Sequence, residues 1–148
     1  VLSRGQSSTS NHPEWPRVSK EEFFSKSDII SLHCPLTKEN TNMINSNTLE
    51  QMKPTSFFIN TSRGGLVNEN DLADALKSNA IAGAALDVLS TEPPEKNHPL
   101  LCDTIPNLLI TPHIAWTSLE ARKRLLEGVI GNIQSFLSGR PSNEVTYA

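Results

Sequence analysis

The chain has 148 residues, with 13 Lys and Arg against 16 Asp and Glu, which gives a formal net charge of -3 at pH 7. This length allows one globular core, and the weakly acidic balance provides no basic surface that would favour nucleic acid as a partner. No apolar run reaches the roughly 18 residues that predict a membrane span, so we also expect no membrane partner.

The predicted elements alternate between helices and strands along the chain. Residues 1–18 are predicted to be irregular. Ser19 and Glu22 have the spacing of a capping box, which predicts a short helix over 19–24. Short apolar runs predict four strands, at residues 28–32, 56–60, 83–88 and 108–111.

Two further helices are predicted between these strands. Asn47 and Glu50 stand at cap spacing ahead of a stop at Pro54. Residues 69–78 form the second helix, because apolar residues recur on one side of it. Its apolar face consists of Leu72, Ala75 and Leu76.

The last predicted helix is longer, at about 20 residues, than a usual crossover helix. Thr117 and Glu120 have capping-box spacing at its start, and Gly139 with Pro141 marks its end. Its apolar residues are Ala121, Leu125, Val129, Ile133 and Phe136. The alternation of short apolar strands with helices predicts an α/β fold whose parallel sheet is buried on both faces.

Polar residues follow each predicted strand. Because an open parallel sheet binds its ligand at the carboxyl ends of the strands, these residues are the candidates for a site. They are His33-Cys34-Pro35, Thr61-Ser62-Arg63-Gly64-Gly65, Asp87, and Thr111-Pro112-His113.

Three of the polar residues suggest chemistry as well as position. The guanidinium of Arg63, ahead of two glycines, can bind a carboxylate through two hydrogen bonds, although an ordinary surface arginine in a turn fits equally well. The imidazole of His113 can act as an acid or a base near neutral pH, yet a single histidine is more often structural. Glu92 can orient such an imidazole, or it is a solvated carboxylate in a loop.

Other kinds of site are disfavoured. Adjacent residues at a strand end point to opposite faces, so His33 is poorly placed to activate the Cys34 thiol. Cys34 and Cys102 have neither disulfide-framework nor zinc-site spacing, and a reducing cytoplasm is therefore expected. His12 and His98 lack the spacing of metal ligands. Two tryptophans, Trp15 and Trp116, are too few and too far apart to stack nucleic-acid bases.

Several of these stretches, taken together, resemble the NAD-binding domain of the D-isomer-specific 2-hydroxyacid dehydrogenases, in the glycerate dehydrogenase and hydroxypyruvate reductase branch. The matching stretches occur in the family's order between residues 27 and 145. They are SDIISLHCPLT, FFINTSRGGLVNENDLADAL, IAGAALDVLSTEPP and LLITPHIAW. The resemblance implies part of a Rossmann-type doubly wound parallel sheet with a long C-terminal helix.

The resemblance also implies a reaction, a hydride transfer between NAD(P)H and a small D-2-hydroxy or 2-keto acid, with glycerate and hydroxypyruvate favoured. Arg63 would bind the substrate carboxylate, His113 would be the acid/base, and Glu92 would pair with His113. Asp87 would contact the nicotinamide carboxamide. The implied NAD or NADP site comprises Cys34, Pro35, Thr61, Ser62, Arg63, Asp87, His113, Ala115 and Trp116.

The chain departs from the family pattern in two respects. It contains no GxGxxG phosphate loop, so we expect residues 1–148 to be the C-terminal portion of a dinucleotide-binding domain, without the first strand and without a substrate domain. Ser3 and Arg4 stand where NAD-selective members carry an acid, a change that would suit the phosphate of NADP. We expect the isolated fragment to be inactive and the full-length form to be a homodimer; the alternative is a non-catalytic dinucleotide-sensing or partner-binding module.

Overall fold

The computed structural model describes residues 16–101 and 105–145. The predictions that concern Ser3, Arg4, Cys102, His12 and Trp15 lie outside these residues. Of the segment predicted to be irregular, residues 16–18 are described, and they form no helix or strand. The chain divides into two compact units, the first ending at Pro112 and the second beginning at His113.

Among its described residues, the first unit contains four strands and three α-helices that alternate in the predicted manner. The elements are α1 (Lys20–Lys26), β1 (Ile29–Leu32), α2 (Ser46–Leu49), β2 (Phe57–Asn60), a 3-10 helix (Gly64–Leu66), α3 (Glu69–Lys77), β3 (Gly83–Leu86) and β4 (Leu108–Ile110). The second unit contains α4 (Leu119–Leu137). No helix among the described residues is long and apolar enough to cross a membrane.

The four strands form one parallel sheet in the order β1-β2-β3-β4, which confirms the predicted α/β architecture. Their carboxyl ends are aligned, since Leu32 is the register partner of Asn60 and Asn60 is the partner of Leu86. The residues that follow β1, β2 and β3 therefore leave the sheet along one edge.

One face of the sheet forms the core of the first unit. Ile30 and Phe58 are fully buried on it, together with apolar residues from the helices, because strand side chains alternate between faces. The larger helical side chains in this core are Phe24, Leu49, Leu72 and Leu76. Deleting a buried side chain of this size typically costs about 2–5 kcal/mol.

The opposite face differs from the prediction of a sheet buried on both sides. Ile29, Phe57 and Leu109 are 63%, 51% and 62% exposed on that face. The apolar strands predicted burial of both faces, and for this face the prediction is wrong within the described residues. Among these residues, α1, α2 and α3 all contribute to the core on the same side.

Helix starts are set by local caps, and two of them differ from the prediction. Ser19 caps α1 as expected, its Oγ accepting from the backbone N–H of Glu22 at 3.1 Å. The cap of α2 is Asn45, not Asn47, because Asn45 and Thr48 satisfy each other's backbone N–H groups. Asn68 caps α3, whose predicted apolar residues are all buried.

The long helix of the second unit has the predicted length, at 19 residues. Its N-cap is Ser118, not Thr117, because the Thr117 hydroxyl donates to the carbonyl of Ile114 at 2.7 Å and is engaged in the preceding turn. Gly139 ends the helix as predicted, with a φ of 71° that favours glycine.

Candidate functional site

The turn after β2 is held by Asn60, which is not among the site residues predicted from the sequence. Its side chain is fully buried; Nδ2 donates to the carbonyl of Arg63 at 2.9 Å, and Oδ1 accepts from the backbone N–H of Ser62 at 3.0 Å. The Ser62 hydroxyl donates to the carbonyl of Cys34 at 2.6 Å, which joins this turn to the segment after β1. The exits of two neighbouring strands are therefore fixed to each other.

Arg63 occupies the end of that turn, immediately before the 3-10 helix. Its backbone is extended and its side chain is exposed, while Nη1 donates to the carbonyl of Ser62 at 2.7 Å. A guanidinium has five N–H donors, so this contact leaves donors directed at solvent. The turn thus presents a cation at the carboxyl edge of the sheet, beside the half-buried Cys34 and the exposed Pro35 and Thr61.

Gly64 brings the Arg63 turn against the backbone that follows β3. A Cβ at this position would lie 1.9 Å from the carbonyl carbon of Leu89 and 2.3 Å from the backbone nitrogen of Ser90. No side chain fits there, because real Cβ atoms do not approach backbone atoms so closely. The contact joins Arg63 to the segment that carries Glu92.

We expect Gly64→Ala to lower the free energy of unfolding by about 1–3 kcal/mol, since the clash is with backbone. Gly65→Ala is the matched control: its Cβ would meet only the Leu36 side chain, at 2.8 Å, and Leu36 is exposed and can move. Its effect should stay within about 0.5 kcal/mol. Urea denaturation of both variants tests the difference, and equal midpoints would contradict the close contact.

Glu92 lies in the segment between β3 and β4 and has an exposed side chain. The backbone N–H of Leu89 donates to its Oε1 at 2.9 Å. The Glu92 carboxylate therefore forms a hydrogen bond within its own loop, close to the end of β3. This contact defines the loop conformation in which Glu92 is presented.

A largely buried pair that was not predicted from the sequence, Glu69 and His98, holds the same segment. Glu69 Oε1 accepts from the backbone N–H of Ser90 at 2.7 Å, and Oε2 accepts from the Ser90 hydroxyl. His98 Nε2 lies 3.0 Å from the same Oε2. Since Leu100 N–H donates to His98 Nδ1 at 3.3 Å, the ring proton is assigned to Nε2.

Asp87 directly follows β3. It is only 4% exposed, and its Oδ1 accepts from the Thr111 hydroxyl at 2.5 Å. Its backbone N–H donates to the carbonyl of Asn60 at 2.9 Å. The carboxylate is thus fixed between the exits of β2 and β4.

His113 opens the second unit in a tight turn before α4. It has a φ of 55°, in the left-handed region that is uncommon for residues other than glycine and is often found at functional sites. Its carbonyl accepts from the indole Nε1 of Trp116 at 3.0 Å. The side chains of His113, Ala115 and Trp116 are all exposed.

The aligned strands bring the predicted residues after β1, β2 and β3 to one edge of the sheet. Glu92 lies in the loop after β3, and the predicted residues of the second unit lie in one turn. Within residues 16–101 and 105–145 no group of three or more metal-binding side chains occurs. His33 contacts Ser31, its Nε2 lying 2.8 Å from Oγ. The site of the first unit has a cation at Arg63, a buried carboxylate at Asp87 and a second carboxylate at Glu92.

Comparison with known proteins places this arrangement in a family. Residues 2–115 match the family described as D-isomer specific 2-hydroxyacid dehydrogenase, NAD binding domain. The chain is 45% identical over 134 residues to the glycerate dehydrogenase of Methylorubrum extorquens, which covers 90% of this chain and 42% of that protein. It is also 45% identical to the hydroxypyruvate reductase of Blautia hydrogenotrophica, with 86% of this chain and 39% of that protein covered.

A solved structure shows the same fold. The acyclic imino acid reductase in complex with NADPH and D-Arg superposes with a TM-score of 0.84 at 37% identity, covering 95% of this chain and 44% of that one. The chain spans about two fifths of the length of the curated relatives it matches. With a Rossmann-type parallel sheet and a family match over most of its length, the chain belongs to the D-isomer specific 2-hydroxyacid dehydrogenases, as part of their NAD-binding domain.

Proposed function

We propose that the full-length protein carrying this sequence is an oxidoreductase that transfers a hydride between NAD(P)H and a small D-2-hydroxy or 2-keto acid. One observation carries the proposal: the turn of Arg63 and the buried carboxylate of Asp87 leave adjacent strands at the same edge of the sheet. A cation suits the substrate carboxylate, and a fixed acceptor suits a carboxamide.

The residues at this edge fit a nicotinamide cofactor chemically. An ionised carboxylate only accepts hydrogen bonds, so Asp87 complements the amide N–H groups of a carboxamide. Thr111 fixes its orientation through the 2.5 Å hydrogen bond. We assign the remaining contacts to Cys34, Pro35, Thr61, Ser62, Ala115 and Trp116. The cofactor, NAD or NADP, supplies when bound the hydride that reduces the substrate carbonyl carbon.

Arg63 binds the carboxylate of the acid in this proposal. Its guanidinium is always charged and planar, which allows two parallel hydrogen bonds to one carboxylate and fixes the substrate's orientation. The Asn60 contacts support the role, because they hold the backbone on both sides of the Ser62–Arg63 peptide. A fixed cation matters in a chain whose net charge is negative.

His113 moves the proton in this proposal. During reduction its ring N–H donates to the carbonyl oxygen, which becomes a hydroxyl; during oxidation the neutral ring takes that proton back. Glu92 pairs with His113 in this proposal and orients its ring. The left-handed backbone of His113 and the Trp116 hydrogen bond to its carbonyl support a fixed orientation for the ring.

The relatives support the choice of substrate. Their names, glycerate dehydrogenase and hydroxypyruvate reductase, favour that acid pair. The coverage of about two fifths of their length supports a role for this chain as the C-terminal portion of a dinucleotide-binding domain, with the phosphate loop and substrate domain supplied by further sequence. We also propose a cytoplasmic homodimer.

The experiment that tests the function follows NADH and NADPH oxidation by the full-length protein with hydroxypyruvate, glyoxylate and pyruvate. We expect hydroxypyruvate to give the highest kcat/KM and the reverse reaction to use D-glycerate but not L-glycerate. Dinucleotide binding without turnover on any 2-keto acid would instead identify a non-catalytic sensing module and overturn the proposal.

A further inference from the structure

The segment that carries Glu92 is anchored by a residue outside the proposed catalytic set. Glu69 begins α3, and its carboxylate contacts the chain on both sides of Glu92. On one side it accepts from the backbone N–H of Ser90 at 2.7 Å and from the Ser90 hydroxyl. On the other side it lies 3.0 Å from Nε2 of His98.

Burial distinguishes Glu69 from an ordinary acid in the first turn of a helix. Its side chain is 11% exposed and that of His98 is 7% exposed, whereas Glu21, in the first turn of α1, is exposed. Burying a carboxylate is unfavourable unless hydrogen bonds compensate it. Here three donors do so, and the result is a rigid connection between α3 and the 90–98 segment.

The same segment is fixed from a second direction. Gly64 lies in close contact with the Leu89–Ser90 backbone. Ser90 is therefore held by the Arg63 turn as well as by Glu69. Leu89 N–H then donates to Glu92 Oε1 at 2.9 Å. The position of the Glu92 carboxylate is therefore determined by an anchor at Ser90, only two residues away.

We propose that Glu69 is a positioning residue of the dehydrogenase, which acts on catalysis by holding Glu92 in the orientation that its proposed role in turnover requires. The inference rests on the proposed function, since Glu92 must matter to turnover for its position to matter. Glu69 has no contact with substrate in this assignment. Its effect on the rate passes entirely through Glu92.

A double-mutant cycle on the full-length protein tests the inference. Glu69→Ala, Glu92→Gln and the combined variant are compared by kcat, by KM for hydroxypyruvate and by Kd for NADH. Because small misplacements of catalytic groups can cost up to about 100-fold, we expect Glu69→Ala to lower kcat by about 10- to 100-fold with Kd for NADH unchanged. In the Glu92→Gln background, Glu69→Ala should lower kcat by less than about threefold, because the carboxylate that Glu69 positions has already been removed.

The matched control is Asp74→Ala, an exposed acid on the same helix, which should leave kcat unchanged. An equal loss from Glu69→Ala in both backgrounds, or no loss in either, would overturn the inference. If Glu92→Gln alone keeps full turnover, the proposed role of Glu92 fails instead, and the two failures are thereby distinguished. If Glu69→Ala does not fold, the double-mutant cycle is repeated with Glu69→Gln and with Ser90→Ala, because each of these changes removes fewer contacts.

Discussion

Replacing His113 with glutamine in the full-length protein should lower the kcat of hydroxypyruvate reduction by about 10²–10⁴-fold, the usual contribution of general acid catalysis. Glutamine keeps a polar side chain of similar reach but cannot exchange a proton near neutral pH. The Kd for NADH should stay within about threefold of wild type, because the change removes a proton donor and little binding surface. Stopped-flow reduction together with fluorescence titration of NADH measures both quantities.

The control for this variant is His33→Gln. His33 is also exposed and follows a strand of the same sheet, but its ring contacts the Ser31 hydroxyl and has no role in the proposed reaction. His33→Gln should therefore keep the wild-type kcat for hydroxypyruvate reduction. Full activity in His113→Gln would show that another group supplies the proton, and the assignment of the acid/base would then be wrong.

The second large effect is expected at Arg63. Arg63→Ala should lower kcat/KM for hydroxypyruvate by about 10²–10³-fold, since hydrogen bonds between charged groups contribute about 1.5–3 kcal/mol each. Arg63→Lys keeps the charge and loses the planar pair of donors, so it should recover only part of this loss. Because the side chain is exposed, neither variant should change the free energy of unfolding by more than about 0.5 kcal/mol.

Arg122→Ala, which removes an exposed arginine from α4, is the matched control for charge. It should leave kcat/KM unchanged. The Arg63 assignment fails if Arg63→Ala keeps the wild-type kcat/KM, or if its loss appears equally with a substrate analogue that lacks the carboxylate. In the second case the arginine would be acting on the fold of the turn and not on the acid.

The sheet and its edge could be predicted from the sequence because short apolar strands that alternate with helices are compatible with few other folds. The alignment of Arg63 and Asp87 follows from that topology alone, since parallel strands end at the same edge. Helix starts were less predictable: the prediction placed the cap of α2 at Asn47, whereas Asn45 caps it. Several Asn, Ser and Thr residues compete locally for the same N–H groups, and spacing alone does not rank them.

Asn60 could have been found from the pattern of its strand. It lies on the same face as Phe58, two residues earlier, and a polar residue on a buried face must find hydrogen-bond partners. Those partners are the Ser62 N–H and the Arg63 carbonyl. The rule would therefore have identified Asn60 as the residue that shapes the turn.

The anchor of the Glu92 segment could not be predicted. Glu69 is 21 residues from Ser90 and 29 from His98, and an acid at the start of a helix is ordinarily explained by the helix dipole. The Gly64 contact could not be predicted either, because two glycines in a turn are usually explained by local backbone conformation. Both features join segments that are distant along the chain, and no local pattern encodes such contacts.

The most direct test of the central claim is to follow the hydride itself. The full-length protein is incubated with hydroxypyruvate and NADH deuterated at both C4 positions, and the product is analysed by mass spectrometry. We predict D-glycerate that carries deuterium at C2, and glycerate with the same label, formed more slowly, from His113→Gln, because that change removes a proton donor and not the hydride. Glycerate without deuterium at C2, or no glycerate at all, would contradict a hydride-transfer site at this edge of the sheet.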